Sequence, residues 1–230
     1  MENKGSSSEI ISSAIEELSK ASKVRSPSVL VVKVEARDDV PHPHIPTKPF
    51  LSLVNNLVLQ VLDKIGPTMA VLRQDVNQNI QRLEMVYESD PSVYSNLVEI
   101  LKKEVKEGNA RKSASCCRAL VWLTRSLDFT TALLQKLITR EPGKSMEQIV
   151  EESYNIALKP WHRWISSAAF KVALKLVPDN EAFISLLLVK DGNYESLKEE
   201  MQSLILLLLP FLEDVHSVLR FYNLDRLKAN

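Results

Sequence analysis

The sequence predicts an all-α protein, with two layers of helices packed around one core, and three observations carry that prediction. From Lys48 onward, apolar residues recur at spacings of three and four. Prolines and short polar residues stand where these runs begin and end. Beyond residue 46, no stretch alternates apolar and polar residues as a half-buried strand would.

Taken in order, the chain divides into an N-terminal extension at 1–46, partly disordered, and a helical domain at 47–230. Residues 1–8 are polar and serine-rich. Ile10, Ile11, Ala14, Ile15 and Leu18 then share one side of a short helix spanning about 9–22. Val29 to Val34 is β-branched and suits a short extended segment, and four prolines lie between Asp38 and Pro49. Pro49 opens a helix from Phe50 to Lys64, which Gly66-Pro67 ends. The next helix carries Met69, Leu72, Val76, Ile80 and Leu83 as its buried stripe. Asp90-Pro91 introduces a helix from Ser92 to Lys106, and a basic link leads into the longest interior helix, from about Ser113 to Thr139. Pro142-Gly143 breaks the chain before a helix from Ser145 to Leu158. Lys159-Pro160 turns into Trp161 to Leu176, Asp179 precedes Asn180 to Val189, and Tyr194 to Leu227 forms a last helix interrupted near Pro210.

Composition narrows the function. Lys plus Arg and Asp plus Glu number 29 each, so the net charge is zero and a general nucleic-acid binder is disfavoured. Five dispersed glycines build no phosphate-cradling loop, and no nucleotide or other cofactor is expected. The pair His42 and His44 lacks the further ligands of a zinc site and reads as a loop pair. Adjacent Cys116 and Cys117 cannot easily close a disulfide with each other and suit a reduced, cytoplasmic protein. The longest apolar run, Leu204 to Leu212, contains Pro210 and is too short to span a bilayer, so membrane contact would be peripheral. No nucleophile with a base, metal cluster or paired-carboxylate site appears, and an enzyme is not expected.

Three groups of residues are candidates for a site. Asp75, Asn79 and Arg82 each precede a member of the apolar stripe and lie roughly 100° round the helix from it, at the shoulder of the buried face. Together they can donate to and accept from a ligand rich in hydroxyls and amides, although the same trio describes an ordinary solvated flank. On the long helix, Arg118, Trp122, Arg125 and Phe129 project in one row. A tryptophan between arginines stacks internally on a guanidinium or presents a flat face to a sugar ring. The segment Trp161-His162-Arg163-Trp164 sets a histidine between two indoles, where the imidazole can donate to a buried carbonyl without proton transfer.

Asp75, Asn79 and Arg82, then Trp122 within Leu-Val-Trp-Leu-Thr-Arg-Ser-Leu, then Pro160-Trp-His162-Arg-Trp164 and Phe170, form an ordered set. It resembles the glycolipid transfer protein family, especially its plant members, from about Pro49 to the C-terminus. The resemblance implies a two-layer helical carrier that moves a glycosphingolipid or related ceramide-based lipid between membranes without cleaving it, touching the membrane surface transiently. By that likeness Asp75 engages the ceramide amide N–H and a sugar hydroxyl, and Asn79 and Arg82 bind further hydroxyls. Arg82 stands where the family usually has lysine. Trp122 stacks on the sugar, His162 donates to the amide carbonyl, Trp164 touches the membrane and Phe170 lines the chain cavity. Drawing one sixteen-carbon chain through water costs about 13 kcal/mol at roughly 0.8 kcal/mol per methylene, so unassisted exchange is slow.

One departure concerns the headgroup. In the branch of the family that carries ceramide-1-phosphate, arginines occupy the positions of Arg118 and Trp122, and lysine that of Asn79. This chain keeps the sugar-type residues Asn79 and Trp122 beside the phosphate-type Arg118. Ceramide-1-phosphate transfer is therefore the nearer alternative, and a lipid-sensing or adaptor protein without transfer activity the more distant one.

Overall fold

A computed structural model describes residues 8–24, 42–188 and 192–229, and the described residues form helices without a strand. The expected extended segment at 29–34 lies outside them. The helices are α1 Ser8–Val24, α2 Thr47–Val54, α3 Gln60–Ile65, α4 Ala70–Ser89, α5 Leu97–Lys106, α6 Cys116–Thr139, α7 Met146–Ala157, α8 Trp164–Leu174, α9 Asn180–Leu187 and α10 Tyr194–Phe221. A π-helical turn, Asn55–Leu59, joins α2 to α3, and a 3₁₀ turn, Pro67–Met69, opens α4. They pack as two layers around one core, with α6 at the centre against α2, α4, α5, α7 and α10.

The local chemistry explains where α6 begins and ends. The Ser115 hydroxyl accepts from the Arg118 N–H, and the Glu104 carboxylate accepts from the N–H groups of Cys116 and Cys117, each at 2.8 Å. The orphan donors of the first turn are thereby satisfied, and a negative charge faces the positive end of the helix dipole. At the other end Arg140 turns left-handed, at φ 35°, and stops the helix. Between these points Leu120, Leu123, Leu127 and Leu134 are buried, the row expected to face the core.

Four elements differ from expectation. Residues 91–95 form turns, because Asp90 caps only Ser92 and Val93. Helix α5 waits for Asn96, whose side-chain oxygen accepts from Val98 and from Ile45, tying the 42–47 stretch to the helix start. Leu72, placed in the buried stripe of α4 by its spacing, is 41% exposed. Helix α10 runs unbroken through Pro210, which sits on the exposed side while Leu208, Phe211 and Leu212 hold the opposite side in the core. On that side water can take the carbonyl that the missing proline N–H leaves unbonded. Lastly, α1 is built into the common core: Ile10, Ile11, Ala14, Leu18 and Ala21 are buried against α2 and α10.

Candidate functional site

Helix α4 carries one half of the site. The Asn79 amide donates to the Asp75 carbonyl at 3.0 Å, and the Arg82 guanidinium donates to the Asn79 side-chain oxygen at 3.1 Å. The trio is thus one connected polar row. Asn79 is buried, Arg82 half-buried and Asp75 open to solvent on one side. Crowding of the Asp75 carboxyl by surrounding protein nonetheless raises its pKa, and the positive charge of Arg82 pulls the other way. Asp75 therefore presents an accessible acceptor at the edge of the row, able to take a ligand N–H.

The other half comes from α6 and the loop before α8. The rings of Trp122 and His162 lie 5.5 Å apart and tilted by 41°. His162 Nδ1 is 3.3 Å from the Tyr154 hydroxyl, which lies 3.1 Å from the Ser167 hydroxyl. Desolvation, helped by the Arg125 charge, lowers the His162 pKa and keeps the imidazole neutral at pH 7. Phe170 stacks on Tyr154 with ring centres 3.5 Å apart and planes within 6°. Helix α8 starts at Trp164, whose side chain lies outside the described residues.

The two halves meet through the packing of α4 on α6, where the Cys116 thiol donates to the Arg82 carbonyl at 3.4 Å. Of the arginine row on α6, Arg125 is spent inside the protein. Its guanidinium lies 4.8 Å from the centre of the Trp122 ring and 4.2 Å from that of Trp161, and donates to the Asp225 carbonyl at 2.8 Å. Burial lowers its pKa to about 10, so it stays charged at pH 7. Arg118 is buried too and donates to the carbonyl of Lys228. An open groove of about 470 Å³ between α6, α7 and α10 borders Arg125 and Trp161 but not the α4 row. On its rim His216 pairs with Asp128 at 2.9 Å.

Sequence reasoning missed Tyr154 and the C-terminal segment. Tyr154 sits in the buried stripe of α7 and reads as core; its place eight residues before His162 carries no periodic signal. The segment after α10 reaches Arg125, Arg118 and Trp161 through the carbonyls of Asp225 and Lys228 and the N–H of Ala229, backbone groups that side-chain patterns do not record.

The family model described as glycolipid transfer protein matches residues 45–189. Glycolipid transfer protein 3 of Arabidopsis thaliana is 55% identical over 219 residues, 95% of this chain and 91% of that one. Among solved structures, one described as showing how FAPP2 selects simple glycosphingolipids superposes with a TM-score of 0.72 at 27% identity, covering 85% of this chain and 96% of the other. Mouse ceramide-1-phosphate transfer protein shares the fold, with a TM-score of 0.76 at 18% identity over 93% of this chain and 99% of that one. On the strength of the model match and the plant relative, this chain belongs to the glycolipid transfer protein family.

Proposed function

We propose that this protein withdraws a glycosylated ceramide from one membrane and delivers it to another, making and breaking no covalent bond. The observation that carries this reading is the connected row Asp75, Asn79 and Arg82 on α4, packed against the helix that brings Trp122 to His162. Asp75 accepts from the ceramide amide N–H and a sugar hydroxyl. Asn79 and Arg82, each already oriented by its neighbour, bind other hydroxyls. The ring of Trp122 stacks on the sugar, its other role being to hold Arg125. The Tyr154 hydroxyl, which donates to Ser167 and stands 3.3 Å from Nδ1, holds the His162 imidazole beside Trp122, where it reaches the amide carbonyl. Phe170, fixed by its stacking on Tyr154, lines the route of the acyl chains into the core of residues 47–230, and Trp164 meets the membrane.

The carrier works from the cytoplasm, a reading supported by its two buried, unpaired thiols. No helix among the described residues is long and apolar enough to cross a membrane. The test is vesicle-to-vesicle transfer of glucosylceramide, galactosylceramide and ceramide-1-phosphate with matched fluorescent chains. Wild type should prefer the sugar lipids, and Asp75→Val and Trp122→Ala should drop to background with an unchanged helical circular dichroism spectrum. Normal transfer by both variants would remove these residues from the site.

A further inference from the structure

Tyr154 belongs to the firm part of the site, and two of its partners belong to the loose part. It is 4% exposed on α7, whose Ile149, Val150 and Ser153 are buried with it and which packs along α6. Helix α8 is held more weakly: among its described side chains, Leu174 alone is buried. Two residues of α8 nevertheless meet Tyr154. Phe170 lies flat on its ring with centres 3.5 Å apart, and the Ser167 hydroxyl is 3.1 Å from its own. On the other side, the Tyr154 hydroxyl stands 3.3 Å from Nδ1 of His162.

A phenol has one hydrogen to donate, and here two neighbours can accept it. In this structure it goes to Ser167. Nδ1 then bonds to the phenol oxygen only by donating to it. Burial keeps the imidazole neutral at pH 7, so the ring carries one hydrogen and Nε2 is left as a bare acceptor. A bare nitrogen cannot bind an amide carbonyl. Once Ser167 withdraws, the phenol can donate to Nδ1. The ring then loses its hydrogen there and takes one from water at Nε2, with no change of charge. The donor that a ceramide amide needs is therefore decided from α8. A long acyl chain passing Phe170 presses on the stacked pair, and the weakly held α8 is the side that yields.

Resting on the reading of this site as a ceramide headgroup site, we infer that the Tyr154 hydroxyl is a positioning group that ties His162 to the acyl chain. Arrival of a long chain at Phe170 carries Ser167 away, the hydroxyl turns its hydrogen to Nδ1, and the imidazole presents an Nε2–H to the amide carbonyl. Headgroup and chain are thus read together, through one side chain.

The experiment uses the full-length protein with nitrogen-15-labelled histidines, His162 being assigned by the loss of its signals in His162→Gln. Without lipid, the ring shifts should place the hydrogen on Nδ1 in wild type and on Nε2 in Ser167→Ala. Glucosylceramide with a sixteen-carbon acyl chain should move it to Nε2 in wild type. The same lipid with a two-carbon acyl group, which keeps the amide but brings no chain to Phe170, should leave it on Nδ1. In binding followed by tryptophan fluorescence, Ser167→Ala should favour the two-carbon lipid over the sixteen-carbon one about 5-fold relative to wild type, and Tyr154→Phe added to it should cancel that gain. A hydrogen on Nε2 in lipid-free wild type, one tautomer with both lipids, no gain in Ser167→Ala, or a gain that survives Tyr154→Phe overturns the inference. Failure of wild type to bind the sixteen-carbon lipid would instead bring down the reading of the site, and this inference with it.

Discussion

Asp75 is the clearest case at the scale of single residues. Crowding raises its carboxyl pKa in the fold, with Arg82 opposing, so the native protein holds that proton more tightly than the unfolded chain does. Stability is therefore lost as the pH rises from the ordinary carboxylate range through the raised native pKa. Asp75→Asn should melt at a higher temperature than wild type at pH 7 and at the same temperature near pH 3, while transferring lipid more slowly. Equal melting at pH 7 would mean the carboxylate is hydrated as in water. His162 has the opposite linkage. Its pKa is depressed below 6.5 by burial, so acidification protonates the unfolded chain first, and stability falls as the pH drops from about 6.5 toward the native pKa. His42, packed edge-on against Phe221 at 4.3 Å with its pKa also lowered, contributes in the same window. The check is therefore a comparison of His162→Gln with wild type between pH 7 and pH 5 by thermal denaturation, in which the variant should lose less stability.

At the scale of elements, two substitutions test how the helices are held. Glu104→Ala leaves the N–H groups of Cys116 and Cys117 without their carboxylate and should cost about 1 to 3 kcal/mol by urea denaturation. Pro210→Ala restores a backbone donor in the middle of α10 and should stabilise by about 1 to 2 kcal/mol, the helix gain being partly offset by a more flexible unfolded chain. The same elements show what a sequence displays. Long amphipathic runs such as α6 and α7 announce themselves, because burial repeats with the helical period and Ser115 and Ser145 mark the starts. Asp90-Pro91 misleads because an Asx cap serves a turn as well as a helix. Pro210 misleads because propensity is local, whereas the burial on either side of it is tertiary. In the candidate site, the shared helix face of Asp75, Asn79 and Arg82 was legible from spacing, and Trp122 and His162 were singled out by resemblance, but the approach of their two rings to 5.5 Å was not. The hold of the C-terminal backbone on Arg118 was not, since a carbonyl belongs to every residue type alike.

For the molecule as a whole, α1 decides how cooperatively it unfolds. Leu18, 1% exposed, joins the core that α10 and α2 share, so Leu18→Ala should lower stability by about 2 to 5 kcal/mol and shift one transition instead of shedding a separate step. Two transitions would show that α1 melts on its own. A carrier of this architecture must also part its layers and close them again, and the adjacent thiols offer a way to time it. Cys116 is buried where α4 meets α6, Cys117 is buried beside it, and burial, reinforced by Glu104, pushes both thiols up in pKa, Cys116 to about 12. Neither yields appreciable thiolate in the closed protein, so a thiol reagent in excess reacts only during excursions that expose them. The labelling rate at Cys116 then counts openings of the α4–α6 seam per second, and its slowing on vesicles of one lipid and not another would turn the protein into its own stopwatch for cargo residence.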